Sequence, residues 1–284
     1  MRPRSDPLPR ELEEALDAVR PRLGRLGASW YYYQSIGSTN DVAAMLAGGR
    51  DVEGAVVIAG AQTAGRGRRG RTWFSPPGSG LYTSVVLLPG RAQVSPERAT
   101  SLLTLAAGVA IAEGIERVTG LGPQIKWPND LLVGRRKLAG ILAEGIATDR
   151  SAGVGYVVLG YGINVGLTSV PADLLERTTS LETELGREVD RAAVAAESLA
   201  ALATRYDDLL AGRFDVILDA WRRRSPSSLG TRVTWAPGRA AGTDAVAGET
   251  CSGLTAGIDE DGALLVRTAR GTKRVVAGEL TWEI

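Results

Sequence analysis

The 284-residue chain contains no histidine, one cysteine (Cys251) and three lysines, Lys126, Lys137 and Lys273. Without histidine there is no Ser-His-Asp triad and no His-ligated zinc, and one cysteine builds no disulfide framework. Chemistry that needs a lysine has three candidates. Net charge is scarce as well: 33 basic residues against 32 acidic ones leave +1. The chain as a whole therefore does not attract polyanions, and any basic site must be local. No run of about 18 apolar residues reads as a membrane span. The basic start of "MRPRSDPLPRELEEALD" is followed by charge rather than by the apolar stretch of a secretory signal. The natural reading is a soluble cytoplasmic protein.

What is present is mixed α and β patterning, with length enough for one large domain or two unequal ones. Leu12, Leu16, Val19 and Leu23 recur at helical spacing, with a break near Pro21. "SWYYYQSI" reads as a strand, and Ser38 as the N-cap of a helix that stops at Gly48-Gly49. "GAVVIAG" and "LYTSVVLL" are buried strands, and Pro96 opens a long apolar helix. "PQIKW", "LLVG", "KLAGILAEGI" and "GYVVLGYGI" follow as strands, with "WPND" a turn that keeps Pro128, Asn129 and Asp130 out of strand interiors. Residues from about Asp190 to Arg224 are helical with a break at Gly212. The last stretch, "TRVTWA", "TCSGLTAGID", "ALLVRTA" and "KRVVAGELTWEI", has short strands and a "DEDG" hairpin, which suggests a small appended β-barrel.

Four segments carry chemistry. "QTAGRGRRGRTWFSPPGSG" has Gly65, Gly67 and Gly70 at dinucleotide-loop spacing, but the two prolines after them prevent the helix that such a loop needs. Its four arginines in six residues (Arg66, Arg68, Arg69 and Arg71) repel one another unless an anion binds, while the rest of the chain lacks the extended basic and aromatic face of a nucleic-acid surface. A glycine-jointed lid over a small anionic ligand fits better. Trp73 beside it offers a stacking face or a core tryptophan paired with Phe74. In "KWPNDLLVGRRKLAGILAE", Lys126 and Lys137 flank a turn bearing Asn129 and Asp130; lysine suits a carboxylate or phosphate, and Asp and Asn oxygens suit Mg2+ carried by a nucleotide. Gly140 suggests close approach of another group to a strand. "IGSTNDVA" gathers Ser38, Thr39 and Asn40 at a helix start, where simple capping is the plain reading. "GYGINVG" ends a buried strand with Gly160, Gly162 and Asn164.

In order and spacing these four segments resemble the biotin protein ligases, closely from Trp30 to Asn164 and more loosely to the C-terminus. The resemblance implies an α+β fold: a mixed-sheet catalytic domain of the biotin/lipoate ligase type plus a small C-terminal SH3-like β-barrel. It implies a helical extension over residues 1–27, the catalytic domain over 28–226 and the β-domain over 227–284.

By the same likeness, biotin and Mg-ATP give biotinyl-5'-AMP, and a lysine of the biotin carboxyl carrier domain of an acyl-CoA carboxylase then takes the biotin. Ser38, Thr39, Asn40, Gln62, Arg66, Gly67, Arg68, Lys137, Gly140 and Gly160 would bind biotin, with Arg66, Arg68 and Lys137 catalytic. Trp73, Lys126, Asn129, Asp130, Ile163 and Asn164 would surround the nucleotide, with Asp130 a candidate Mg2+ ligand. The cofactors implied are ATP and Mg2+, and the protein would be a monomer or homodimer. Only 29 residues precede Trp30, fewer than a DNA-binding repressor domain needs, so no DNA partner is expected. The rival within the same fold is a lipoate-protein ligase. The octanoyl transferases that resemble this fold use a cysteine, and Cys251 is far in sequence from the pocket motifs.

Overall fold

The computed structural model describes residues 4–49, 51–146, 155–168, 170–235, 251–276, 278 and 280–283. Residues Ala236, Thr250, Ala277, Glu279 and Ile284 of the C-terminal segments singled out above lie outside them.

The elements in chain order are α1 (Arg10–Val19), β1 (Ser29–Tyr33), α2 (Thr39–Ala47), β2 (Ala55–Ala59), β3 (Gly80–Leu87), α3 (Pro96–Thr119), β4 (Gln124–Lys126), β5 (Asp130–Val133), β6 (Arg136–Gly145) and β7 (Val157–Asn164). They continue with α4 (Ala172–Leu175), α5 (Leu181–Leu185), α6 (Arg191–Leu210), α7 (Phe214–Arg224), β8 (Leu229–Trp235), β9 (Cys251–Ile258), β10 (Leu264–Thr268), β11 (Gly271–Val275) and β12 (Leu280–Glu283). The first sheet runs β1-β2-β3-β7-β6-β5-β4. Its β1–β2 pair is parallel and its other pairs are antiparallel.

Strand alternation sorts this sheet into two faces. Val56, Ile58, Val85, Leu87, Leu159, Tyr161 and Ile163 pack into one core with residues of α3 and α6. Ala55, Val57, Ala59, Val86 and Val158 pack on the other face against Val42, Ala43, Leu46 and Ala47 of α2. Helix α2 covers β2, β3 and β7 on this face and leaves the sheet beyond them open.

By length and composition helix α3 alone among the described residues could cross a membrane, but it is broken by polar and charged residues and most of its apolar stretch is buried in the protein. Its apolarity belongs to the core. Helix α1 likewise puts Leu12, Leu16 and Val19 into the core that holds α6.

The second sheet, β11-β10-β9-β8-β12, is wholly antiparallel. The segment "KRVVAGELTWEI" divides between β11 and β12 rather than forming one strand. The "DEDG" hairpin is a turn in which Asp259 Oδ1 accepts from the Asp261 and Ala263 amides at 3.0 and 2.9 Å. That turn docks on the first domain: Trp127 Nε1 donates to the Gly262 carbonyl at 2.9 Å, and Arg98 Nε to the Glu260 carbonyl at 2.8 Å. The result is a mixed-sheet α+β fold followed by a small C-terminal β-domain.

Candidate active site

Helix α2 starts at the open part of the sheet, and its first turn builds one end of the site. Ser38 occupies the N-cap position but its side chain makes no capping bond. The cap comes from across the cleft, where Gln62 Oε1 accepts the Thr39 amide at 2.9 Å. Capping by a distant glutamine leaves the small polar side chains at the helix start for other work. Gln62 Nε2 then donates to Ser75 Oγ at 3.0 Å, and Ser75 donates to the Trp73 carbonyl at 3.0 Å. On the other side Ser84 Oγ lies 2.6 Å from Asn40 Oδ1 and 2.8 Å from Thr39 Oγ1. Asn40 Nδ2 donates to Glu144 Oε2 at 2.6 Å.

The cleft floor is a stripe of glycines. Gly140 of β6 pairs with Gly162 of β7, and Gly160 lies one pleat along on the same face. A Cβ at Gly162 would overlap the Trp73 indole, one at Gly140 would come within 2.9 Å of its ring, and one at Gly160 would overlap the Asn40 amide. The glycines are there because an indole and an amide lie directly on the strands. Trp73 is thus a site residue and no partner to Phe74 in a core, since Phe74 is 40% exposed. Trp73 Nε1 is buried without a hydrogen-bond partner.

Lys137 reaches this face through a bulge. Strict alternation from Ile141 and Ala139, both in the helix-side core, would send Lys137 the same way. The β5–β6 register instead shifts between Leu131 and Leu132, Leu138 joins the core, and Lys137 turns to the glycine face. One extra residue in a strand re-aims a side chain in this way. There Lys137 Nζ pairs with Asp130 Oδ1 at 2.6 Å and lies 5.1 Å from the centre of the Trp73 ring. Asp130 is not in the "WPND" turn as its residue type suggested; it opens β5, opposite Lys126 and Gly140. First position in a strand tolerates a residue that the interior would not.

The arginine segment folds over the cleft as a tight turn. Gly67 N–H donates to the Arg71 carbonyl at 2.7 Å, Trp73 N–H donates to the Gly65 carbonyl at 2.9 Å, and Arg69 sits at φ +59°. Arg66 pairs with Asp41 and Glu144, both at 2.9 Å, and Arg68 donates to Asn129 Oδ1 at 2.9 Å. Burial pulls the Arg68 guanidinium below its ordinary value, with the Asp130 charge opposing. The lid is therefore fastened at both ends, to α2 and β6 through Arg66 and to the turn before β5 through Arg68.

Two adjoining clefts result. The first encloses about 460 Å³, counting the part open to solvent, and is lined by Ser38, Thr39, Asn40, Gln62, Arg66, Gly67, Arg68, Trp73, Asn129, Lys137, Gly140 and Gly160. The second encloses about 750 Å³ on the same reckoning and adds Arg69, Arg71, Lys126 and Asp130, with Gly278 and Leu280 of the C-terminal domain. Gly67, Arg68, Trp73, Asn129 and Lys137 line both. Lys126 lies 5.8 Å from the centre of the Trp282 ring of β12.

Two of the sequence-selected residues line neither cleft. Ile163 is fully buried on the helix-side face, where alternation from Gly162 must put it. Asn164 Nδ2 contacts the backbone carbonyls of Thr179 and Lys137 at 3.1 and 3.4 Å. Three residues outside the selection belong to the arrangement, Ser75, Ser84 and Glu144, and Gly162, read in the sequence only as part of a strand end, lines the first cleft. Ser84 gave a readable signal, since a serine inside the apolar run of β3 needs a buried partner. Among the described residues no three His, Cys, Asp or Glu side chains cluster to hold a metal. Asp130 offers one carboxylate beside a cationic cleft, and Mg2+ commonly uses one or two carboxylates together with substrate phosphates, so the donor set fits a metal that arrives with a nucleotide.

Comparison with known proteins agrees with this geometry. Residues 33–164 match the Biotin/lipoate A/B protein ligase family, and residues 245–280 match the Biotin protein ligase C terminal domain. The chain is 34% identical to the biotin–[acetyl-CoA-carboxylase] ligase of Mycobacterium tuberculosis, over 93% of each protein. It is 35% identical to the bifunctional ligase/repressor BirA of Bacillus subtilis, over 90% of this chain and 74% of that protein. Among solved structures, the biotin protein ligase of Aquifex aeolicus in complex with biotin and ATP superimposes with a TM-score of 0.73 at 25% identity, covering 90% of this chain and 99% of that one. The chain belongs to the biotin protein ligases.

Proposed function

We propose that the first cleft holds biotin, the second holds ATP, and the residues lining both hold the atoms that react. The observation that carries this reading is the shared wall of Gly67, Arg68, Trp73, Asn129 and Lys137. A biotin carboxylate reaching from the first cleft would meet the α-phosphate of a nucleotide in the second beside Lys137.

In the first step a carboxylate oxygen attacks the α-phosphorus, the bond from that phosphorus to the α,β-bridging oxygen breaks, and pyrophosphate leaves with the electron pair. Both reactants are anionic, so the barrier contains their repulsion. Lys137 and Arg68 stand where that charge gathers and offset it without rearrangement. Mg2+, held by Asp130 and the phosphates, would supply further charge neutralisation. Trp73 gives adenine or the biotin chain a flat apolar wall. In the second step the carrier lysine amine attacks the acyl carbon, the acyl–phosphate bond breaks, AMP leaves and the amine loses a proton. A mixed anhydride is open to hydrolysis, and the fastened lid keeps water from it while the carrier arrives.

The partner inferred is the biotin carboxyl carrier domain of an acyl-CoA carboxylase, in the cytoplasm. We infer the same partition suggested by the sequence, 1–27, 28–226 and 227–284. Cys251 opens β9 in the C-terminal sheet and lines neither cleft, which supports adenylate chemistry over a cysteine acyl-enzyme. The test is to incubate the protein with biotin, ATP and such a carrier domain and to follow its mass. One added biotin on one lysine, dependent on ATP, is expected; an unmodified carrier would refute the reading.

A further inference from the structure

We propose that Ser75 is a positioning residue for the nucleotide half of the site: with Gly65 it fixes the Trp73 backbone to the helix start that forms the biotin end. This deepens the functional reading above, on which it rests, by naming what holds the indole in its place.

The series of bonds has one possible direction. The Thr39 amide can only donate, so the Gln62 atom 2.9 Å from it is the oxygen, which also accepts from Thr39 Oγ1 at 3.2 Å. The nitrogen of the same side-chain amide then faces Ser75 Oγ at 3.0 Å and donates to it. Ser75 keeps its own proton for the Trp73 carbonyl, also at 3.0 Å. Ser75 is only 3% exposed, so bulk water does not replace a bond lost there. Two backbone bonds run beside the series: Gln62 N–H donates to the Ser75 carbonyl at 3.0 Å, and Trp73 N–H to the Gly65 carbonyl at 2.9 Å. Trp73 is thus held at both its N–H and its C=O, by partners that trace back to the first turn of α2.

Gly65 makes the room for this. A Cβ there would stand 2.4 Å from the Trp73 carbonyl oxygen, 2.7 Å from Ser75 Oγ and 3.1 Å from Gln62 Nε2, the three atoms of the series. Its φ lies outside the left-handed region, so space and not backbone conformation requires glycine. Gly65 is therefore a seat for three polar atoms rather than a joint of the lid. The series is also asymmetric. Among the described residues, the Gln62 side chain is held by two bonds from Thr39 at the α2 end and by one, to Ser75, at the other. Loss of the Ser75 hydroxyl leaves the biotin end in place and frees the Trp73 carbonyl. The indole then loses its alignment over Gly162 and Gly140 and beside Lys137. Ser75 itself lines neither cleft and acts through Trp73.

The experiment measures biotin-dependent exchange of pyrophosphate into ATP for Ser75→Ala, Gly65→Ala and the double variant. In Ser75→Ala the KM for ATP should rise about tenfold, the order expected for one buried hydrogen bond, while the KM for biotin stays within about twofold. Gly65→Ala keeps every hydroxyl and amide of the series and closes only the space, and it should raise the KM for ATP by a similar factor. The double variant should stay within about twofold of the worse single one, because both changes remove the same link. Hydrogen exchange at the Trp73 amide, followed by mass spectrometry, should quicken in both single variants. An unchanged KM for ATP in Ser75→Ala would overturn the proposal, as would equal rises in both KM values, which would mark a loss of fold rather than of alignment. Effects that multiply in the double variant would overturn it as well. Absence of biotin-dependent exchange in the wild-type protein would instead refute the functional reading, and the Trp73 amide would still decide the positioning role, since an unchanged exchange rate in Ser75→Ala contradicts it.

Discussion

The Lys137 ammonium lies 2.6 Å from the Asp130 carboxylate, at the wall common to the two clefts. The pair joins a cation suited to a substrate carboxylate with an anion suited to a nucleotide-borne metal, and the bulge at Leu138 is what aims the lysine there. Lys137→Ala should lower the rate of adenylate formation by about a hundredfold or more, the scale of losing one preorganised group at a developing charge. Pyrophosphate exchange measures it directly; a normal rate would remove Lys137 from the chemistry.

Arg68 closes the lid by donating to Asn129. Arg68→Gly removes both the fastening and a cation at the junction, so the adenylate should escape before the carrier arrives. The expected outcome is biotin on many lysines of a bystander protein, read by mass spectrometry. Labelling confined to the carrier domain would count against the closing role.

Gly162 has no side chain because Trp73 lies on it. Gly162→Ala should push the indole off the sheet, shift the tryptophan fluorescence and raise the KM for ATP about tenfold. An unaltered spectrum together with an unaltered KM would mean that the ring is not held where its role requires.

Trp127 ties the turn before Asp130 to the C-terminal hairpin through Gly262. Trp127→Phe keeps an aromatic side chain but removes the indole N–H and leaves a buried carbonyl unpaired, which alone costs about 1–3 kcal/mol. Urea unfolding should show a lower midpoint; an unchanged midpoint would mean that the two domains hold together without this bond.

Burial pushes the Tyr82 phenol up to about 12, and it also raises Tyr161 and Tyr206. Unfolded tyrosine ionises near 10. Below about 10 both states keep the proton and the stability is intact; above it the unfolded chain releases protons that the folded chain holds, so stability falls as pH rises. Denaturation followed from pH ~9 to ~12 should show that decline, and Tyr82→Phe should make it shallower. A slope unaffected by Tyr82→Phe would assign the decline to other groups.

Much of this was readable from the residues. Short apolar runs marked β2, β3, β6 and β7, and the arginines among glycines marked the lid. What escaped depends on parity and on distance. Ile163 belongs to a motif that lines the site, yet one step along a strand puts its side chain in the opposite core. Lys137 is on the correct face only because of a bulge that no local pattern announces. Ser84 and Glu144 are 60 residues apart on separate strands and meet only through Asn40. Ser38 was the natural cap by type, but Gln62 from another loop took that place.

The most direct test of the central claim is pyrophosphate exchange into ATP with biotin and, separately, with lipoate as the acid. The account predicts exchange that requires biotin and does not occur with lipoate. Exchange with lipoate and none with biotin would contradict it.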